Sequence, residues 1–319
     1  MHSPRITVSI CTYDRYDVLP KAIESAAQQS IPTALYRILV VDNSPDHKRA
    51  RAIGKRFSSI SNLTYLVEET PGLSNARNVS ARECGTEFIA FMDDDAIAST
   101  TWLEEILKAF DLFGSNAAIV GGRVDPIWAA PRPPWLHDDM LGSLSVVNWG
   151  GDARIASPKE WFAGTNISFR TQQILDDGGF ATNLGRIGSG TSLLSNEEIH
   201  LVSRICEAGG KQIYAPAAYV CHLVEPKRLT RAWFRKRFAW QAVSDFMMDP
   251  KRYSGDMSAS WKEMIRYFNS LPPLDRTIRG FVFDTDDPGQ FLWQIGALYT
   301  MTIMILAGFE GLSGDTHTP

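Results

Sequence analysis

Residues 87–95 read EFIAFMDDD, a short apolar run that ends in three consecutive aspartates. Similar runs occur before and after it, and segments with a helical spacing of apolar residues separate them. These runs are ITVSI at 6–10, YRILVV at 36–41, LTYLV at 63–67 and AAIV at 117–120. Strands that alternate with helices of about a dozen residues indicate βαβ units. We therefore predict an α/β fold with a mixed, mainly parallel sheet flanked by helices.

Polar clusters follow three of these runs, at the points where the predicted strands end. They are CTYDR at 11–15, DNS at 42–44 and DDD at 93–95. In open α/β sheets, ligands bind outside the carboxyl ends of the strands, so these clusters predict a binding site. No strand end carries a G-x-G-x-x-G sequence, and the chain has no Walker A sequence. The sequence therefore lacks the main support for either glycine-rich phosphate site.

The three aspartates suit a divalent cation, because adjacent carboxylates repel one another unless a positive charge compensates them. Carboxylate oxygens are hard ligands of the kind that Mg²⁺ and Mn²⁺ prefer. Side chains alternate along an extended strand, so we expect Asp93 and Asp95 on one face and Asp94 on the other. This arrangement predicts a D-x-D pair for a metal-bound diphosphate. The alternative is a solvated acidic turn before the helix near Thr101.

Length and composition exclude several classes of protein. A chain of 319 residues with 44% hydrophobic and 21% charged residues can bury a large core, which excludes global disorder. The net charge of −4 argues against a nucleic-acid partner. The four cysteines show no metal-site spacing, which indicates reduced thiols, and the first residues lack the apolar segment of a secretory signal. We expect a cytoplasmic protein.

The ordered set of motifs resembles one known family. The set comprises CTYDR at 11–15, VVDNS at 40–44, GLSNARN at 72–78, FMDDD at 91–95, GTNISFR at 164–170, DGGF at 177–180 and NEEIHL at 196–201. Over roughly residues 5–245 the chain is similar to the family 2 glycosyltransferases, which have the Rossmann-like GT-A fold. The resemblance implies a hexosyltransferase that uses a nucleotide-diphosphate sugar and Mn²⁺ or Mg²⁺ and inverts the anomeric centre. It also implies a glycan or lipid-linked acceptor and a role in surface polysaccharide biosynthesis.

The resemblance assigns several residues to the nucleotide sugar. Thr12, Tyr13 and Asp42 would hold the nucleotide base. Arg77 would lie near the base or the diphosphate, and a guanidinium suits either that anion or the acidic centre. Arg15, the single basic residue of CTYDR, is expected in the same nucleotide-sugar site.

The resemblance also assigns the acidic residues. Asp95 would bind the metal with the help of Asp93, and Asp94 would approach the ribose or the sugar. His222, which follows a predicted apolar segment, would lie near the metal or the diphosphate. The alternative for His222 is a structural histidine.

The catalytic base is expected in the pair Glu197-Glu198. The family usually has a Glu-Asp pair before a helix, in which the second acid accepts the proton of the acceptor hydroxyl. In this chain Glu198 stands in place of that Asp. The longer side chain leaves both Glu198 and Glu197 as candidates, and helix N-terminal acids without a catalytic role are the alternative.

We expect two domains, a GT-A catalytic domain at 1–225 and a helical region at 226–319. The catalytic domain would comprise a nucleotide-binding half at 1–122 and an acceptor-side half at 123–225. The stretch 125–149, rich in proline and tryptophan, is expected to be a long loop.

Two C-terminal segments raise the question of a membrane. Residues 227–240 carry six basic residues within eleven, interleaved with aromatics, which suits a diphosphate, anionic lipid or a solvated helix face. Residues 288–309 are free of charge over 22 positions, which suits a packed helix, a membrane-surface contact or a span.

The Q-x-x-R-W motif of processive relatives is absent, so one sugar per encounter is expected. The protein would be cytoplasmic, either free or peripheral on the cytoplasmic face of a membrane.

Two other functions fit parts of the pattern. A sugar-phosphate nucleotidyltransferase has a related architecture, but it typically needs a glycine-rich basic loop where this chain has CTYDRYD at 11–17. A non-catalytic protein that binds carbohydrate or nucleotide sugar would have no reason to combine Asp93, Asp95 and Glu198. Metal-dependent binding of a nucleotide sugar would separate the last alternative from the enzyme.

Overall fold

The computed structural model describes residues 3–186, 188, 192–253, 255 and 257–314. The chain forms two compact units. The first comprises Met1–Ile127, Ser145–Thr191 and Glu197–Leu223, and the second comprises Trp128–Leu144, Ser192–Asn196 and Val224–Pro319. The segment 128–144 thus belongs to the second unit, and the predicted division at residue 225 stays a prediction.

The strands and helices alternate over the first half of the chain. The strands are β1 (Ile6–Thr12), β2 (Tyr36–Asp42), β3 (Leu63–Val67), β4 (Phe88–Asp93), β5 (Ala96–Ala98), β6 (Ala117–Gly121), β7 (Val124–Trp128), β8 (Arg154–Ile155), β9 (Ile167–Arg170), β10 (Lys211–Tyr214) and β11 (Val220–Val224). The α-helices are α1 (Leu19–Ala27), α2 (His47–Lys55), α3 (Leu73–Glu83), α4 (Trp102–Phe113), α5 (Thr171–Asp176), α6 (Glu197–Glu207), α7 (Arg231–Met248), α8 (Ser258–Ser270) and α9 (Pro288–Gly314).

The first unit is built on an eight-stranded sheet in the order β3-β2-β1-β4-β9-β6-β10-β8. The pairs β1–β2, β1–β4, β2–β3 and β6–β10 are parallel, whereas β9 runs antiparallel to β4 and β6. A second sheet has the order β5-β11-β7. The predicted α/β class with a mixed, mainly parallel sheet and a helical C-terminal region is confirmed.

The buried faces explain why the elements form where they do. Every residue of β6 is buried, as expected for a strand covered on both faces. In α1 the four buried residues, Leu19, Ala22, Ile23 and Ala26, follow the spacing of one helical face and pack into the main core. The side chain of Asp46 accepts a hydrogen bond from the Arg49 amide and so caps the start of α2.

Two predicted boundaries are wrong. The GTNISFR segment at 164–170 is predicted to have strand character, but β9 begins at Ile167, because 164–166 form a turn in which the Asn166 amide donates to the Ala163 carbonyl. The stretch 125–149 was expected to be one long loop, but β7 extends into it as far as Trp128 and a 3₁₀ helix occupies Asp138–Leu144. Strand β7 was not predicted because it contains Pro126, and proline is rare inside strands.

The second unit packs three helices around aromatic side chains. The Trp135 ring meets the rings of Phe234 on α7 and Phe291 on α9 at centroid distances of 5.6 and 5.0 Å. On α9, Gln294 is fully buried, and its amide donates to the carbonyls of Gly280 and Phe283 at 3.1 and 3.0 Å. One face of α9 is therefore held by protein contacts.

The charge-free segment forms one helix long and apolar enough to cross a membrane, among the residues that the structure describes. This window spans Pro288–Gly308 with a mean hydropathy of 1.5, and 28% of it is buried. Length and composition alone do not distinguish a membrane helix from a packed one. The buried Gln294 favours the packed alternative for that part of α9.

Two basic residues of α7, Arg231 and Arg235, are engaged within the second unit. Arg231 donates to the Thr285 carbonyl at 3.0 Å, and Arg235 donates to Asp284 at 2.9 Å and to the Phe283 carbonyl at 2.7 Å. These contacts favour a structural role for Arg231 and Arg235 over a diphosphate clamp or a lipid contact.

Candidate active site

Strand pairing brings the predicted site residues to one edge of the sheet. In the parallel ladders, Thr12 pairs with Asp42, and Cys11 pairs with Asp93. Parallel strands end on the same side, so residues that follow β1, β2 and β4 meet at the carboxyl edge.

Asp93, Asp95 and His222 form a group that can hold a metal ion. One ligand atom of each residue lies within 4.8 Å of the others. The antiparallel pairing of β11 with β5 sets His222 opposite Ala96, next to Asp95, and the His222 Nε2 lies 3.3 Å from Asp95 Oδ1. Two carboxylates and an imidazole are a donor set that suits a divalent ion and leaves positions for diphosphate oxygens. No second group of this kind occurs among the described residues.

The structure places Asp93 and Asp95 together and turns Asp94 elsewhere, but strand alternation is not the cause. Strand β4 ends at Asp93, and the other two aspartates lie in the turn that leads to β5. The hydroxyl of Thr12 donates to Asp94 Oδ2 at 2.7 Å. This bond, rather than an extended backbone, holds Asp94 away from the group formed by Asp93, Asp95 and His222.

Arg15 lies against the same aspartates. Its Nη1 is 2.8 Å from Asp95 Oδ2 and 3.5 Å from Asp94 Oδ1, and its side chain is 32% exposed. Burial and the neighbouring charge of Asp95 raise the pKa of Asp94 to about 8, although Arg15 and Thr12 act in the opposite direction. The raised pKa means that a second negative charge beside Asp95 is unfavourable at this place, and a bound cation would relieve that cost.

Arg77 links the acidic centre to the two glutamates. Its Nη1 donates to Glu197 Oε1 at 2.7 Å and lies 3.9 Å from Glu198 Oε2, while its Nη2 is 3.8 Å from Asp93 Oδ1. Burial lowers the pKa of Arg77, but the charges of Glu197, Glu198 and Asp93 outweigh it and raise the pKa above its ordinary value. This guanidinium compensates carboxylates at the site.

The two glutamates differ in surroundings. The Glu197 side chain is 4% exposed and bound to Arg77, and burial together with the charge of Glu198 raises its pKa to about 8. The Glu198 side chain is 17% exposed, and its Oε1 accepts from the Gly164 amide at 3.2 Å. Its Oε2 has no hydrogen-bond partner within the described part of the chain. The Oε2 of Glu197 is likewise buried and without a hydrogen-bond partner in that part of the chain. Glu198 is therefore oriented by the backbone, and it differs from Glu197 in the larger exposed fraction of its side chain.

Gly164 is a site residue that the sequence reasoning missed. A Cβ atom at this position would lie 2.3 Å from Arg77 Nη2 and 2.7 Å from Glu198 Oε1. Only glycine lets both side chains approach the backbone this closely. The GTNISFR motif contains Gly164, but a residue without a side chain gives no sign of this contact.

Asp42 is fully buried and bonded at both oxygens. Tyr16 and Tyr65 donate to its Oδ2 at 3.0 and 2.6 Å, while the amide and the hydroxyl of Ser44 donate to Oδ1. Neither tyrosine was predicted. The hydroxyl of Tyr13 lies beside Gly188. The contacts that Asp42 and Tyr13 are expected to make with a nucleotide base stay predictions.

Sequence comparison adds to this geometry. The sequence model of the family described as "Glycosyl transferase family 2" matches residues 7–176, more than half of the 319 residues. The chain is 28% identical to the glucosyl-dolichyl phosphate glucuronosyltransferase of Haloferax volcanii, over 82% of this chain and 83% of that protein. It is 27% identical to the succinoglycan biosynthesis protein ExoM of Rhizobium meliloti, over 73% and 71%.

Two solved structures share the fold. One is S. aureus TarS in complex with UDP, with a TM-score of 0.54, 15% identity, and coverage of 95% of this chain and 91% of that chain. The other is the mannosyltransferase PcManGT from Pyrobaculum calidifontis in complex with GDP-Man and Mn²⁺, with a TM-score of 0.54, 18% identity, and coverage of 99% and 82%. Together with the family match, the fold and the acidic site identify the chain as a member of glycosyl transferase family 2, and hence as a glycosyltransferase.

Proposed function

We propose that this enzyme transfers one sugar per encounter from a nucleotide-diphosphate sugar to an acceptor hydroxyl and inverts the anomeric centre. One observation carries the proposal. The Gly164 amide orients the partly exposed carboxylate of Glu198, and the Arg77 guanidinium lies between that carboxylate and Asp93. Direct displacement from a nucleotide sugar needs a base for the acceptor hydroxyl and positive charge for the leaving diphosphate, and these residues can supply both.

Asp93, Asp95 and His222 would hold Mn²⁺ or Mg²⁺. The donor set of two carboxylates and one imidazole supports a divalent ion. When bound, such an ion would stabilise the negative charge that gathers on the leaving diphosphate. The likeness to the fold of a protein solved with Mn²⁺ is consistent with this choice.

The remaining predicted residues would bind the donor. Thr12, Tyr13 and Asp42 are proposed for the base. Thr12 bonds Asp94, so the base contact and the ribose or sugar contact would share one hydrogen-bonded unit. Arg15, which lies against Asp95, would add positive charge for the diphosphate.

Glu198 is proposed as the base that takes the proton of the acceptor hydroxyl. Glu197 is bound to Arg77 and nearly inaccessible, so it is proposed to hold that arginine in place. The greater exposure of the Glu198 side chain, 17% against 4% for Glu197, supports this division of roles. Attack on the face opposite to the leaving diphosphate would invert the anomeric centre.

A glycan or a lipid-linked saccharide is proposed as the acceptor. The support comes from two relatives, whose names are a glucosyl-dolichyl phosphate glucuronosyltransferase and a succinoglycan biosynthesis protein. We accordingly place the enzyme in surface polysaccharide biosynthesis, peripheral on the cytoplasmic face of a membrane. The apolar helix α9 is consistent with a membrane setting.

Thermal unfolding with UDP-, GDP- and dTDP-sugars, each with and without Mn²⁺ or Mg²⁺, tests the donor site. A ligand at 100 times its Kd stabilises a protein by about 2.7 kcal/mol, which shifts the melting temperature visibly. We expect a metal-dependent shift for one base, lost in Asp95→Asn and retained in the matched control Asp17→Asn, which changes an exposed aspartate. No shift with any donor, or an unchanged shift in Asp95→Asn, would contradict the proposed donor and metal site.

A further inference from the structure

Exposed apolar side chains are concentrated in residues 261–282 of the second unit. They are Trp261 at 56%, Ile265 at 57%, Leu274 at 84%, Ile278 at 81% and Val282 at 58% exposure. Large apolar patches on a protein surface mark interaction sites. We call residues 261–282 the α8-loop surface.

Helix α8 carries two apolar stripes. Met264 and Tyr267 are buried and pack against Phe281 and α9, so they account for the attachment of the helix to its unit. Trp261 and Ile265 are four residues apart, which places them one turn apart on the same side of the helix. The side chains of Trp261 and Ile265 are therefore not needed to attach α8 to its unit.

The loop after α8 is held by hydrogen bonds. The Tyr267 hydroxyl donates to the Gly280 carbonyl, and Arg276 donates to the Leu271 carbonyl at 3.0 Å. A Cβ atom at Gly280 would lie 2.6 Å from Leu271 Cδ1. The loop is thus folded against α8 while Leu274 remains exposed.

Positive charge accompanies the apolar side chains. Residues 261–282 contain four basic and two acidic residues, a net charge of +2 in a chain of net charge −4. Lys262 and Arg279 are exposed, and neither forms an ion pair with any residue that the structure describes. Apolar side chains beside long cationic ones match the boundary between lipid headgroups and acyl chains, where the apolar groups insert and the cations meet anionic headgroups.

We propose that the α8-loop surface docks the enzyme on an anionic lipid bilayer. Lipid suits this surface better than a second copy of the chain, because the long cationic side chains can stay at the hydrated headgroups, whereas a protein interface would desolvate them. The proposal assigns membrane contact to residues other than Arg231 and Arg235 of α7, which are engaged inside the unit. The purpose of this docking, which is to bring the enzyme to a lipid-linked acceptor, rests on the proposed function. The docking itself does not depend on it.

Co-sedimentation of the full chain with vesicles, without donor or acceptor, tests the proposal. Wild type should bind vesicles of phosphatidylcholine with phosphatidylglycerol more tightly than vesicles of phosphatidylcholine alone, and high salt should weaken binding. Leu274→Ser with Ile278→Ser should weaken binding at least about tenfold, since each removes buried apolar area from the bound state. Both side chains are exposed, so the fold should survive. Leu112→Ser, at a leucine 75% exposed in the first unit, is the matched control and should bind as wild type.

A charge variant separates the two contributions. Lys262→Gln with Arg279→Gln should reduce binding to the anionic vesicles and leave binding to neutral vesicles unchanged, whereas Arg51→Gln, at an exposed arginine of α2, should change neither. Wild type that stays in the supernatant with anionic vesicles would overturn the proposal. An equal loss in Leu112→Ser, or a dimer in solution that the Leu274→Ser and Ile278→Ser changes dissociate, would overturn it as well. A failure of vesicle binding with intact metal-dependent donor binding would leave the proposed transferase activity standing.

Discussion

The guanidinium of Arg77 lies 2.7 Å from Glu197 Oε1, and each of these two side chains is only 4% exposed. Two more carboxylates, those of Glu198 and Asp93, lie within 4 Å of the same guanidinium. One buried cation thus faces three carboxylates. Removing it would leave those charges uncompensated in a region of low dielectric constant, so the arrangement makes predictions about stability as well as catalysis.

Arg77→Met should destabilise the protein by about 3–5 kcal/mol, because breaking a buried ion pair from one side leaves an unpaired charge. Urea unfolding measures this change. Arg82→Met, at an exposed arginine of the same helix, should stay within about 0.5 kcal/mol of wild type. Adding Glu197→Gln to Arg77→Met should recover part of the loss, since the two residues form one interaction. A stability of Arg77→Met equal to that of the Arg82 control would refute the role of Arg77 as compensating charge.

Stability should depend on pH through Glu197. Burial and the charge of Glu198 raise the pKa of Glu197 from its ordinary 4.5 to about 8, against the lowering effect of Arg77. The folded state therefore binds more protons than the unfolded state between these values. The free energy of unfolding should fall as the pH rises from about 4.5 to about 8, by at most about 1.4 kcal/mol per pH unit for one group. Urea unfolding across this range should show a smaller slope in Glu197→Gln, whereas Glu207→Gln, at an exposed glutamate of α6, should keep the wild-type slope. The same slope in both variants would contradict the prediction.

Glu198→Gln should abolish transfer while leaving donor binding intact. The amide keeps the size of the side chain but cannot accept the acceptor proton, and loss of a general base typically costs about 10²–10⁴ in rate. Release of nucleoside diphosphate in the presence of acceptor gives the rate, and thermal shift with donor and metal gives binding. Glu207→Gln serves again as the control. A larger rate defect in Glu197→Gln than in Glu198→Gln would assign the base to Glu197 instead.

Much of the fold was predictable because apolar runs and helical spacing are strong local signals. The runs at β1, β2 and β4 are almost wholly buried, and each ends where the polar clusters begin. The short strands β5 and β10 were not predicted, since three or four residues carry too little periodicity. His222 was predicted from resemblance alone, because its approach to Asp95 depends on the pairing of β11 with β5.

The site was predictable where the residues carry charge and not where they act through the backbone or through distant pairing. Arg77 was expected near an acidic centre or a phosphate, but its pairing with Glu197 joins positions 120 residues apart. Tyr65 reaches Asp42 because β3 pairs with β2, which no local pattern discloses. The basic residues of α7 were read as candidates for anion binding, yet Arg231 and Arg235 have partners within the second unit.

Gly164→Ala tests whether the backbone contact orients Glu198. The added methyl group would lie 2.3 Å from Arg77 Nη2 and 2.7 Å from Glu198 Oε1, so at least one of these side chains must move. Both clashes are with the ends of long side chains, so we expect a folded protein that is about 1–3 kcal/mol less stable and at least about tenfold slower in transfer. Gly151→Ala is the control, since no heavy atom lies within 4 Å of its added Cβ.

If Gly164 acts through Glu198, its effect on the rate should disappear once the carboxylate is gone. The double variant Gly164→Ala with Glu198→Gln should therefore be no slower than Glu198→Gln alone, as expected for coupled residues. Transfer rates of the four proteins complete the cycle, and donor binding by thermal shift shows whether the metal-dependent site is intact in each. Full additivity of the two rate losses would mean that the methyl group acts on Arg77 or on the donor site, and that the amide of Gly164 does not orient the base.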